Sequence, residues 1–206
     1  MISFKAKLIG STTIQCYNNK KKAYEDCNVS FIRFSKHSKS DLMAVQKVSR
    51  MWQPQDKYAK NIAKNFCSEY SKRYNQYYND NFFALTLQDC NYENVDPTKV
   101  LGMAEALKKR KTFYLDFLQT NPKYKYGDKK RKYKNIGTAI IESLKNIKRI
   151  KSIILIPNNF AVKFYEKCGF TEKHGMMQYT KEKSNSFYRN LWDSIKLKDL
   201  LKRKRV

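Results

Sequence analysis

The stretch Lys134-Asn135-Ile136-Gly137-Thr138-Ala139-Ile140-Ile141-Glu142-Ser143 joins a run of cations to a helical apolar pattern. Seven of the twelve residues from Lys123 to Lys134 are basic. Ile136, Ile140, Ile141, Leu144 and Ile147 recur at helix spacing, so a helix starts near Ile136. The first N–H groups of that helix have no partner within it. They lie at the positive end of its dipole, an arrangement that suits a phosphate. Gly137 removes a Cβ that would crowd a pyrophosphate, and Thr138 and Ala139 are small. Taken alone, Gly137 suits a plain joint as well. The stretch is neither Gly-x-x-x-x-Gly-Lys-Ser/Thr nor Gly-x-Gly-x-x-Gly, which excludes a P-loop and a dinucleotide fingerprint.

The elements that must position this helix follow from periodicity. Ile2, Phe4, Ala6 and Leu8 alternate with polar residues and predict a half-buried strand. Residues 18–22 read as a turn and 29–34 as a second strand. Ser40 is expected to cap a helix over 41–52, with Leu42, Val45, Val48 and Trp52 as its apolar stripe. Pro54 suits the first turn of a second helix, whose stripe is Tyr58, Ile62, Phe66, Tyr70 and Tyr74. Strands are expected at 81–88, 100–107 and 112–120, the last with the continuous apolar character of an interior strand. A loop follows, then the helix from Ile136 and a buried strand over 150–156. Pro157 and Asn158 open another helix with Ala161, Phe164, Tyr165 and Cys168 on one face. Gly169 stands where a left-handed C-cap is wanted. Residues 176–180 read as a last strand, and the tail from Ser184 as a helix with a basic end. The order predicts a mixed α/β domain, its central strands flanked by helices.

Composition narrows the classes. The chain has 206 residues, of which 41% are hydrophobic and 14% aromatic, enough for one domain with a core rather than a disordered chain. No apolar run approaches the roughly 20 residues of a membrane helix, and no signal peptide is read at the N-terminus. Five cysteines, none at Cys-x-x-Cys spacing, and two histidines give no metal cluster, so no metal is expected. Reduced thiols in a cytoplasmic protein are the plain reading. Net charge is +25, from 43 Lys+Arg against 18 Asp+Glu. Two accounts of it stay open: a compositional bias, or selected contact with polyanions such as RNA.

A second segment adds to the first. Residues 158–170, Asn-Asn-Phe-Ala-Val-Lys-Phe-Tyr-Glu-Lys-Cys-Gly-Phe, resemble the Asn-x-x-Ala-x-x-x-Tyr-x-x-x-Gly-Phe signature of the GNAT acyl-CoA N-acyltransferases. Leu115, Leu118, Thr120 and Pro122 resemble the spacing of that family's fourth strand. Lys134 to Ala139 stand where its Arg/Gln-x-x-Gly-x-Gly/Ala phosphate signature falls. The resemblance covers about residues 29–180 by element order and 112–170 by motif. It departs from the family in two ways. Lys134 replaces the usual Arg or Gln, and the loop from Pro122 to Lys134 is about nine residues longer than the family's shortest form.

The resemblance implies an α/β GNAT fold, a mixed sheet whose fourth and fifth strands splay apart to hold acetyl-CoA. Leu118, Gln119 and Thr120 would hold the pantetheine arm as an added strand. Lys134, Asn135, Ile136, Gly137, Thr138 and Ala139 would hold the pyrophosphate, and Asn158 the arm. The implied reaction is attack of a neutral primary amine on the thioester. Tyr165 takes the family position of the acid that serves the leaving thiolate. The family's strand-four glutamate position falls on Tyr114, which is no base at neutral pH. Asp116, on the same strand face if no bulge intervenes, and Glu105 are the candidate bases, with a water chain as the other option. Cys168 lacks a nearby histidine and reads as packing.

The expected domain limits are 1–183, with 1–28 an N-terminal β extension, and a basic tail over 184–206. The acceptor is left open among a small molecule, a protein amine and an aminoacyl-tRNA, and the state between monomer and homodimer. The alternative is an RNA- or ribosome-associated protein on the same scaffold, or a toxin acetylating aminoacyl-tRNA. Its contacts would come from the basic loop 123–134 and the tail 196–206. No membrane partner is expected.

Overall fold

The computed structural model describes residues 5–56, 59–67, 79–124 and 131–181. Its strands are β1 (Lys7–Asn18), β2 (Ala23–Phe34), β3 (Asn79–Thr86), β4 (Val100–Lys109), β5 (Thr112–Thr120), β6 (Tyr133–Lys134), β7 (Ser152–Leu155), β8 (Thr171–Lys173) and β9 (Met176–Thr180). Its α-helices are α1 (Lys39–Trp52), α2 (Ala59–Cys67), α3 (Ile136–Asn146) and α4 (Val162–Lys167). Among the described residues the strands form one sheet in the order β6-β1-β2-β3-β4-β5-β7-β9-β8. β5 and β7 pair in parallel and every other pair is antiparallel.

The middle strands are apolar on both faces because helices cover both. Phe31, Phe83, Leu85, Ala104 and Phe113 pack with Ile140, Ile141 and Leu144 of α3 and Tyr165 of α4. Ile32, Phe82, Ala84 and Met103 pack with Val45, Val48 and Trp52 of α1 and Phe66 of α2. Gly102 permits the close approach of α3 to β4. A Cβ there would stand 2.7 Å from Ile140 Cδ1 and 2.9 Å from Ile136 Cγ2.

Several expectations are corrected. The first strand begins at Lys7, and Leu8 is exposed where Ala6 is buried. Ile2 and Phe4 lie outside the described residues. The cap of α1 is Ser38 rather than Ser40: Ser38 Oγ accepts from the Asp41 N–H at 3.2 Å. Pro54 lies in a turn, and α2 is described from Ala59 onward. In the stripe expected on α2, Phe66 is buried, while Tyr58, Tyr70, Tyr74 and the side chain of Ile62 lie outside the described residues. The strand expected over 150–156 is shorter, and Ile156 is exposed. The helix expected from Pro157 begins as a 3-10 turn over Asn159–Ala161. β8 and its tight turn to β9, with His174 and Gly175 both at positive φ, were not expected. The tail from Ser184 lies outside the described residues.

Candidate active site

The gap between β5 and β7 is built by one extra residue. Leu115 stands opposite Ala106 and Phe117 opposite Glu105, which leaves Asp116 as a bulge on β5. A bulge bends its strand and sharpens the local twist. Pairing of β5 with β7 is confined to Thr112–Ser152, Phe113–Ile153 and Tyr114–Ile154, and ends two residues before the bulge. Beyond it, β5 follows β4 as far as Thr120. The Asn121 N–H donates to the Leu101 carbonyl at 2.8 Å. By two-residue alternation, Gln119 also turns its backbone to β4, while Leu118 and Thr120 turn theirs to the gap. The backbone of Gln119 is therefore not on the gap side, contrary to expectation. Its side chain stands on the face of its partner Met103, which packs with α1. Both polar atoms of the Gln119 amide are buried with no hydrogen-bond partner among the described residues.

The start of α3 closes the far end of the gap. Asn135 precedes it in a left-handed conformation (φ 63°) and makes no side-chain cap, and the first intrahelical bond runs from Ala139 N–H to the Asn135 carbonyl. The amides ahead of Ala139 are thereby left to an external acceptor. Gly137 also has a packing duty that was not expected. A Cβ there would stand 3.1 Å from the Phe164 ring and 3.8 Å from Thr120 Cγ2. The glycine lets α4 and the end of β5 close on the first turn of α3. Lys134 turns away to Tyr24, with its ammonium 3.5 Å from the ring centroid. Asn158 caps the 3-10 turn before α4, its Oδ1 accepting from the Phe160 N–H at 3.3 Å.

Tyr165 is buried on α4 between Phe164 and Phe170, with ring centroids 5.0 and 5.6 Å away. Burial, aided by Cys168, pushes its phenol up to about 12, so it keeps its proton at any physiological pH. A chain the sequence reading passed over braces this helix. The buried Lys145 of α3 donates to the Cys168 carbonyl just past α4 and to Glu142 Oε1 at 2.7 Å. The Tyr179 ring lies 4.4 Å from its ammonium. A cation at a helix C-terminus satisfies carbonyls that have no partner in the helix.

The two candidate bases separate. The bulge breaks the alternation on which placing Asp116 on that strand face depended, and Asp116 is exposed. Glu105 is buried on the α1/α2 face, between its cross-strand neighbours Phe82 and Phe117. Asn65 Nδ2 donates to its Oε2 at 2.8 Å. Burial, with Asp116 and Asp80 nearby, raises its carboxyl to about 7 despite the Asn65 bond and Lys36. Such a group exchanges a proton near neutrality.

The element order and the parallel β5–β7 pair that ends early form the mixed α/β arrangement that the sequence resemblance implied; the bulge was not expected. No family model matches the chain, and no curated protein does. Among solved structures the chain is similar to Tetrahymena GCN5 at 12% identity, covering 82% of this chain and 96% of that one, TM-score 0.48. It is similar to the PaiA N-acetyltransferase of Thermoplasma acidophilum, in complex with coenzyme A, at 18% identity over 74% and 98%, TM-score 0.44. The ribosomal-protein-S18-alanine N-acetyltransferase of Escherichia coli follows at 17% identity over 76% and 96%, TM-score 0.45. These are likenesses of general arrangement. No helix among the described residues is long and apolar enough to cross a membrane.

Proposed function

We propose that the protein is an N-acetyltransferase of the GNAT family that moves an acetyl group from acetyl-CoA to a primary amine. The observation that carries this reading is the gap opening at the Asp116 bulge, with the uncapped start of α3 at its end. A cofactor with an amide-bearing arm and a pyrophosphate fits that pair of features. The outward backbone of Leu118 and Thr120 would take the arm, and the amides of Ile136, Gly137 and Thr138 the pyrophosphate. Acetyl-CoA would supply a thioester whose carbonyl an amine attacks directly. The chain's own residues handle the protons. Glu105 takes one from the incoming ammonium, since an amine without a lone pair cannot attack. The proton that the attacking nitrogen loses as the amide forms passes to the departing sulfur, which Tyr165, holding its own proton more tightly than an ordinary phenol, steadies as a hydrogen-bond donor.

The RNA-associated alternative rests on loop and tail segments most of which lie outside the described residues, and has its support in charge alone. Purified protein supplied with radiolabelled acetyl-CoA and a panel of small amines, peptides and aminoacyl-tRNA tests the reading. Transfer to at least one amine class is expected; cofactor binding with no transfer to any of them would overturn it.

A further inference from the structure

Cys16 and Cys27 lie on one face of the β1–β2 ribbon. Cys27 stands opposite Ile14, and Cys16 is two residues along β1 from Ile14, so the two cysteines are diagonal neighbours across the ribbon. Both are half-buried against the core that includes α3, and both are free thiols. Their side chains meet. Burial first, and then the Cys16 thiol that hydrogen-bonds to it, pushes the Cys27 thiol up. The Lys132 ammonium acts on both sulfurs and favours a thiolate at each. The remaining thiols stand apart from this pair in kind: Cys67 and Cys90 are exposed, and Cys168 is buried.

We propose that Cys16 and Cys27 form a reversible disulfide that staples the β1–β2 ribbon, with a small-molecule disulfide as the oxidant. One cysteine, as its thiolate, attacks the small disulfide, forms a mixed disulfide and releases one small thiol. The other cysteine then attacks the protein sulfur of that mixed disulfide, the Cys16–Cys27 bond forms and a second small thiol leaves. The protein loses two electrons and two protons, and the small disulfide takes up both. Diagonal neighbours in an antiparallel pair sit about 7–8 Å apart, whereas a relaxed disulfide holds its Cα atoms within about 6.8 Å. Closure therefore draws the strands together by about an ångström, close to the exposed turn at 19–22. A bond held under that tension is reduced more readily than a structural one. Cys16 also pairs with Tyr133 of β6, so the bond fixes the ribbon where it meets the strand that leads into α3.

The test equilibrates the purified full chain in glutathione buffers from reduced to oxidised, blocks free thiols under denaturing conditions and maps the peptides by mass. In the oxidised buffers the Cys16 and Cys27 peptides are expected joined to each other, and separate again once reduced glutathione is restored. In Cys16→Ser the Cys27 peptide is expected free or carrying glutathione. Thermal unfolding supplies the second readout. The joined form is expected to melt roughly 5 °C above the reduced form, because the bond restricts the unfolded chain over the 12 residues from Cys16 to Cys27. Cys27→Ser should show no such rise in the oxidised buffers. Cys16 and Cys27 peptides that stay separate throughout, or that join to Cys67, Cys90 or Cys168 instead, overturn the proposal. A joined form that melts no higher than the reduced one overturns the staple.

Discussion

Asn65 of α2 donates a hydrogen bond to Glu105 of β4 at 2.8 Å, joining residues 40 apart in the chain. Among the described residues it is the one hydrogen bond that favours the charged form of a carboxyl raised by burial. If Glu105 is the base, kcat/KM should rise with pH to a plateau, with a midpoint near 7. Asn65→Ala should move the midpoint up and Asp116→Asn should move it down. A pH-independent rate in the wild type would exclude Glu105.

The same carboxyl has a stability signature. Its folded-state pKa lies above the usual 4.5. The folded protein therefore holds that proton more tightly, and stability falls as pH rises from about 4.5 through about 7. Glu105→Gln should match the wild type at pH 4 and exceed it at pH 8 by up to ~3 kcal/mol, read from urea midpoints.

Tyr165→Phe keeps the ring contacts with Phe164 and Phe170 and removes only the hydroxyl. Turnover should fall by roughly 10²-fold, with the acetyl-CoA dissociation constant within a factor of about two of wild type. Unchanged turnover would remove Tyr165 from the mechanism.

Gly102→Ala sets a Cβ against Ile136 and Ile140 and 3.2 Å from the Gln119 carbonyl. Pushing α3 off β4 should cost about 1–3 kcal/mol in denaturant unfolding. It should also weaken acetyl-CoA, because both sides of the proposed site move.

Lys145→Met strips the Cys168 carbonyl of its cation and leaves that buried end of α4 unsatisfied. A loss of about 1–3 kcal/mol is expected. Thermal unfolding of this variant against Lys148→Met, on an exposed neighbour, isolates the contribution of the buried bond.

Strong apolar periodicity made the core elements legible: α1, α3, β3, β4 and β5 were read within a few residues. β8 was not, because its three residues are all exposed and polar, so no alternation marks it. The long β1–β2 hairpin was read short for a related reason: of the twelve residues of β1, Ile14 alone is buried. Gly102 and Lys145 gave no signal, since each matters through a partner distant in the chain.

By itself the sequence determined the order of the core elements and offered a phosphate as one ligand for a glycine-bearing helix start that follows a run of cations. Those are local properties, written in periods of two and 3.6 residues and in residues a few places apart. Tertiary structure decided what each residue faces. The bulge at Asp116 appears only when β5 is laid against β4, and it changes which side chains share a face. It sends the backbone of Leu118 and Thr120 to the gap and the side chain of Gln119 to the opposite helices. It also leaves Asp116 exposed, while Glu105 on β4 is the buried one of the two candidate bases. Gly137 gains its second meaning in the same way. The ring that would meet its Cβ belongs to Phe164, 27 residues further along the chain.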